Sequence, residues 1–214
     1  MIINWYGQAC FKIQSGSTII VIDPYDKKLG LTLPKLEAQI VLVTHEHFDH
    51  NNVKDIKGDP FIIDSPGEYE YGGVKVRGAF SYHDDKKGEE RGINTIYKIQ
   101  MEDIALAHLG DFGQRQLTEQ QLDALGEIDI LMVPTGGTYT IDAARAVEIV
   151  NQVGPRIVIP MHYKIKGLKV KLDSVDNFLK EIGKTDVEKI EKLTIKRKNL
   201  PDPEEKMEVI VFKL

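Results

Sequence analysis

Along the first half of the chain, short apolar runs alternate with glycine-bearing or charged breaks, a spacing of strands rather than helices. Residues 2–6, 9–14 and 17–23 are β-branched runs cut by Gly7 and by Ser15-Gly16, which predicts a β-meander. Asp23-Pro24 closes the third run, and residues 25–38, holding Gly30 and Pro34, read as a loop or one short helix. Residues 39–44 (QIVLVT) are apolar without alternation, as expected of a strand covered on both faces. Further strands are predicted at 60–64, 73–82, 94–100 and 103–107.

The second half changes period. Residues 118–126, 142–153 and 174–183 carry helical patterns, with strands between them at 129–133 and 156–160. Thr118 to Gln121 has the form of a capping box, and Asp142 and Ser174 are N-cap residues. The end, 188–196 and 206–214, reads as strand material around a solvated hairpin loop, KRKNLPDPEE. Nothing of linker, repeat or low-complexity character divides residues 1–214, so the expectation is a single α/β domain with sheets packed inside helices.

Composition narrows the function. With 42% hydrophobic and 29% charged residues, the 214-residue chain can bury a core. Lys and Arg number 28 against 33 Asp and Glu, so no global positive field exists to hold a polyanion, and nucleic acid is not an expected partner. A lone cysteine, Cys10, makes neither an internal disulfide nor a zinc-thiolate cluster and reads as packing. No apolar run approaches the roughly 20 residues of a membrane span, and the start MIINWYGQAC has no signal-peptide pattern. A cytoplasmic protein acting on a small molecule is expected, and a homo-oligomer is compatible with these features.

The chemistry begins at His45-Glu46-His47-Phe48-Asp49-His50, directly after the apolar strand. In extended chain alternate side chains share a face, so His45 and His47 can point at one metal while Asp49 and His50 begin the next turn and can face a neighbouring one. Imidazole and carboxylate without thiolate suit Zn²⁺ first, with Fe²⁺, Mn²⁺ and Co²⁺ as alternatives. Read without a metal, the same string is a solvated polar loop.

THEHFDH resembles the first motif of the metallo-β-lactamase superfamily of metal-dependent hydrolases, and the later motifs follow in the family's order over nearly the whole chain. The resemblance is closest to the small Zn-dependent hydrolase branch related to ascorbate-6-phosphate lactonase and N-acyl-phosphatidylethanolamine phospholipase. It implies a four-layer αβ/βα sandwich with the metals at one edge of two sheets. It also implies that His45, His47 and His83 hold one ion, that Asp49, His50 and His162 hold a second, and that Asp111 in LGDFG bridges them. Phe112 departs from the family's Thr. His108 is the rival of His83 for the first ion and otherwise a residue supporting the ligands. Asp23 matches a family Asp that supports the first-motif loop, and by itself reads equally as a strand-ending turn residue. Glu68, Arg91 and Asn94 lie near the second motif without an assigned role, Trp5 and Tyr6 read as edge-strand core, and residues 84–91 as a solvated hairpin tip beside the site.

What the resemblance implies is a binuclear hydrolase that uses a metal-activated hydroxide on a small ester, lactone or phosphodiester, with Asp49 orienting the nucleophile or passing its proton to the leaving group. The alternatives are a phosphodiesterase or nuclease of the same fold and a non-catalytic metal-binding regulatory module. A di-iron redox relative needs a carboxylate where this chain has His47.

Overall fold

Alternation at period two sorts the strands of the first half onto two faces. In the computed structural model, which describes all 214 residues, β1 (Ile2–Trp5), β2 (Phe11–Ser15) and β3 (Thr18–Ile22) form the expected meander, and β4 (Ile40–Leu42) and β5 (Phe61–Ile63) extend it in parallel. Ile20, Ile22, Ile40 and Leu42 turn inward to the main core, whereas Val21, Val41 and Val43 turn outward under a smaller cluster with Cys10, Tyr25 and Leu29. That double coverage is why QIVLVT shows no alternation.

The second sheet starts with a hairpin that sequence reading did not resolve. β6 (Gly67–Tyr71) pairs antiparallel with β7 (Val74–Tyr82) through Gly72-Gly73, both at positive φ, as a two-residue hairpin turn requires. β8 (Ile93–Met101) and β9 (Ile104–His108) continue the antiparallel order, and β10 (Ile130–Pro134) and β11 (Ile157–Met161) add parallel strands. α1 (Glu119–Leu125), with the capping box in place at Thr118, packs on β7 and β8; α2 (Ala143–Val153), capped by Asp142, packs on β10 and against α3 (Val175–Glu181), capped by Ser174. The fold is therefore the expected α/β sandwich. The layer over the first sheet differs in kind: loops and 3₁₀ turns at Lys27–Leu29 and Val53–Asp55 cover it instead of helix.

The chain end departs from the hairpin expected there. β12 (Lys189–Ile190) pairs in parallel with β15 (Val211–Phe212), β13 (Leu193–Thr194) adds to β1, and β14 (Glu208–Val209) adds to β11. KRKNLPDPEE thus joins two different sheets, because β13 and β14 each find the free edge of a larger sheet rather than each other. β1 in turn lies between β13 and β2, so Trp5 belongs to an interior strand, not the edge strand expected.

Two contacts lock the sheets together next to the loop after β4. Thr95 N–H on β8 donates to Thr44 O at 2.8 Å. The buried Tyr97 hydroxyl donates to Val43 O at 2.9 Å and lies 3.2 Å from Ile63 O, and burial pushes its pKa far up. Tyr97→Phe removes only this hydroxyl and is expected to cost about 1–2 kcal/mol, read as a shifted urea midpoint at unchanged m-value.

Candidate metal centre

Four segments from separate parts of the sequence end at one edge of the two sheets. The turn after β4 carries His45, His47, Asp49 and His50; His83 follows β7, Asp111 follows β9, and His162 follows β11. Asp111 is the middle of the cluster. Its Oδ2 lies 3.2 Å from His83 Nε2, 3.2 Å from His162 Nε2, 3.3 Å from His50 Nε2 and 4.0 Å from His45 Nε2. Potential ligand atoms within 4.8 Å of one another group as His45, His47 and His83, as Asp49, His50 and His162, and as His45, His50 and Asp111. All the residues expected as ligands are brought together, in the two trios expected, with Asp111 between them.

Local structure fixes which ring nitrogens face inward. Asp23, fully buried at φ +47°, accepts from Thr44 N–H at 2.8 Å, from the Thr44 hydroxyl at 2.8 Å and from His50 Nδ1 at 2.9 Å. Since the Thr44 proton goes to Asp23, Thr44 Oγ1 is left to accept from His45 Nδ1 at 3.0 Å. Both Nδ1 atoms therefore carry protons and both Nε2 atoms face the cluster; on His45, kept neutral by burial, that nitrogen presents a lone pair, and on His50 a bound cation would displace its proton. Asp23 is thus a supporting carboxylate and not only a turn residue.

Asn94 does the same for Asp111. Its Oδ1 accepts Asp111 N–H at 3.0 Å, and its amide donates to Ser81 Oγ at 2.7 Å and Leu109 O at 2.9 Å. Gly110 sits at φ +57°, and a Cβ there would come within 2.3 Å of Asn94 Oδ1 and 2.8 Å of Thr44 Cβ, so this turn excludes any side chain. Phe112, at the family's Thr position, is buried in the main core and leaves Asn94 to hold the Asp111 backbone.

His108 stands outside all three groups. Its Nε2 donates to Ala9 O at 2.9 Å and its Nδ1 accepts Gly110 N–H at 3.1 Å, with the ring edge-on to Phe11. It braces the turn that carries Asp111, and both nitrogens are engaged, so His83 takes the place in the first trio. Glu68 pairs with Arg77 at 3.2 Å on the exposed edge hairpin, away from the cluster.

Sequence reading missed Gln8. It occupies the break between β1 and β2 at φ +51°, buried, with Nε2 at 2.9 Å from Asp49 Oδ2 and 2.7 Å from His162 Nε2. His162, itself at φ +52°, donates its N–H to Gln8 O at 3.0 Å, and the Trp5 indole donates to the same carbonyl at 3.0 Å. Two left-handed residues facing each other at the cluster store strain of the kind found at functional sites. The only local signal was a polar residue after Gly7 in a strand break.

The electrostatics suit cation binding. Burial, then the neighbouring His50 charge, holds the His45 pKa well below the imidazole range. Burial acts the same way on His50, but the charges of Asp111 and Asp23 outweigh it and hold its pKa well above that range. Burial favours a neutral Asp111, yet His162 and His50 outweigh it and keep the carboxylate ionised. His45 Nε2, His50 Nε2 and Asp111 Oδ1 are buried without a hydrogen-bond partner. A buried unsatisfied polar atom costs about 1–3 kcal/mol, and three converging ones, nitrogen and carboxylate in type, fit a divalent transition metal.

Comparison with known proteins identifies the family. The family model of the Beta-lactamase superfamily domain matches residues 2–162. The chain is 30% identical over 190 residues to a UPF0173 protein of Pyrococcus abyssi, spanning 78% of this chain and 85% of the relative. It is 29% identical over 187 residues to a UPF0173 metal-dependent hydrolase of Thermoplasma acidophilum, spanning 75% and 82%. A Thermotoga maritima crystal structure, described as a candidate Zn-dependent hydrolase of the metallo-β-lactamase superfamily, superimposes with a TM-score of 0.79 at 35% identity and covers 99% of this chain and 98% of that one. No helix is long and apolar enough to cross a membrane. The matched segment runs from β1 to His162 and takes in every residue of the cluster; the chain belongs to the metallo-β-lactamase superfamily, alongside relatives that carry the name metal-dependent hydrolase.

Proposed function

We propose that the chain is a binuclear metal-dependent hydrolase of small esters, lactones or phosphodiesters, with zinc as the preferred metal. In this reading His45, His47 and His83 hold one ion, Asp49, His50 and His162 hold the other, and Asp111 serves both. The observation that carries it is the placing of two trios of potential ligands around one buried, ionised carboxylate. Divalent ions bound there supply Lewis acidity, which lowers the pKa of water and polarises a carbonyl or phosphoryl oxygen.

The chain's own residues supply the rest. Asp23 and Thr44 fix the His45 and His50 rings before anything binds, so little reorganisation is needed on binding. Asp49 is the less buried carboxylate, and burial alone favours its neutral form, but the charge of His50, whose Nε2 lies 3.6 Å from its Oδ2, outweighs that and keeps it ionised. With Gln8 holding its Oδ2 at 2.9 Å, Asp49 is placed to take a proton from the attacking water and return it to the leaving group. A cysteine nucleophile is not required, and Cys10 lies buried in the outer cluster.

Stripping the protein with a chelator should abolish turnover of a panel of p-nitrophenyl esters, lactones and bis-p-nitrophenyl phosphate, and adding zinc should restore it. Reloading should also raise thermal stability, by about 4 kcal/mol at a free zinc concentration near 1,000 Kd. Turnover confined to the phosphodiester selects the phosphodiesterase alternative. Bound metal with no turnover on any substrate contradicts the hydrolase reading in favour of a metal-binding module.

A further inference from the structure

A cleft of about 420 Å³ opens beside His83, between the loop that follows β7 and the segment 137–142 that leads into α2. The first wall is the charged hairpin tip expected between β7 and β8, exposed along most of its length. The Asp84 carboxylate accepts backbone N–H groups from Lys86, Gly88, Glu90 and Arg91 at 2.8–3.0 Å, which winds the loop into a fixed shape.

The cleft holds four carboxylates and three arginines, and most of these charges are already engaged. Asp84 is taken by the four N–H groups, Asp85 by Arg115 at 3.5 Å, Glu90 by Lys86, and Asp142 by the Arg145 N–H at 2.9 Å. Arg145 donates to Glu148 at 2.7 Å and to Arg115 O at 3.2 Å. Arg91 is left over. It is half-buried, enters no ion pair, and its guanidinium lies 5.0 Å from the centre of the Tyr139 ring. Stacking on an aromatic face keeps a guanidinium extended and leaves its planar fork of donors free. Thr138, which lines the same cleft, is exposed at φ +55°, and neither its amide nor its hydroxyl makes a hydrogen bond within the chain; the Tyr139 hydroxyl is likewise free.

We propose that this cleft is a recognition subsite in which Arg91, with Thr138 and Tyr139, binds an oxyanion of the substrate, a carboxylate or phosphate monoester carried away from the bond that is cut. The proposal rests on the hydrolase reading for placing the cut bond at the histidine and aspartate cluster, which the cleft reaches at His83. A guanidinium meeting an oxyanion through two parallel N–H donors provides both the affinity and the orientation that a small substrate needs.

The test separates the two readings. Inorganic phosphate and acetate are titrated separately into metal-free, ¹⁵N-labelled protein as wild type, Arg91→Ala and Arg91→Lys, and backbone amide shifts are followed. Saturable shifts centred on Arg91 and residues 137–142 are expected, with affinity weakened about tenfold, or 1.4 kcal/mol, in Arg91→Ala, and less in Arg91→Lys. Tighter phosphate binding identifies a phosphorylated substrate, and tighter acetate binding a carboxylate. On a matched pair of esters, one bearing the anion and one neutral, Arg91→Ala should cut the preference for the anionic ester by a similar factor, through KM. Anion binding in the cleft by a protein that, loaded with metal, turns over no ester, lactone or phosphodiester supports the subsite and overturns the hydrolase reading. No saturable shift with either anion, or shifts unchanged in Arg91→Ala, overturns the subsite whatever the protein hydrolyses.

Discussion

Asp111→Asn is expected to give a folded protein that holds one metal ion less tightly than the other and has lost on the order of 10²–10³ in kcat, with a much smaller change in KM. The substitution keeps the side chain's shape and the Asn94 contact to its backbone N–H, so packing is preserved. What disappears is the one negative charge placed within 4.0 Å of four imidazole Nε2 atoms. Without it, two cations in one buried cluster repel without an intervening charge, and an interaction needed chiefly during the reaction is gone, so kcat falls more than substrate affinity. Metal analysis and steady-state kinetics on one preparation check both halves. Full metal content with unchanged kcat would reduce Asp111 to a turn residue.

The second large effect is expected at a residue that touches no substrate. Asp23→Ala leaves Thr44 N–H and His50 Nδ1 without their buried acceptor and releases the Thr44 hydroxyl that sets His45. Removing one partner from a buried charged network costs about 3–5 kcal/mol, and loss of a carboxylate that orients ligating histidines lowers metal affinity about 10 to 100-fold. Asp23→Asn separates the two roles, since an amide oxygen can still accept from the His50 ring. Urea unfolding of the metal-free protein reads the first cost and zinc competition the second. A variant with unchanged zinc affinity would show that Asp23 only ends its strand.

The candidate ligand set was legible because its chemistry is local. An apolar strand delivers His45, His47, Asp49 and His50 from one turn, and His83, Asp111 and His162 each follow closely on a segment that the sequence predicts as a strand, 73–82, 103–107 and 156–160. The remainder depended on tertiary placement. Gln8 sits in a strand break like any turn residue until β11 brings His162 against it. His108 and His83 look equivalent by position, and only the Ala9 carbonyl and Gly110 amide show that His108 is already satisfied. Arg91 sits in a charged run that reads as solvated surface, and Asp84 turns that run into a wall by binding its backbone. The short strands at the chain end were misassigned to a hairpin because two-residue strands carry too little periodicity to name their partners.

The claim on which these arguments depend is a paired metal centre, and it is tested most directly by counting and locating metal in the purified wild-type protein, by plasma mass spectrometry and anomalous diffraction. The account predicts two transition-metal ions per chain, both within the cluster of His45, His47, Asp49, His50, His83, Asp111 and His162. One ion, none, or ions bound elsewhere on the chain would contradict it.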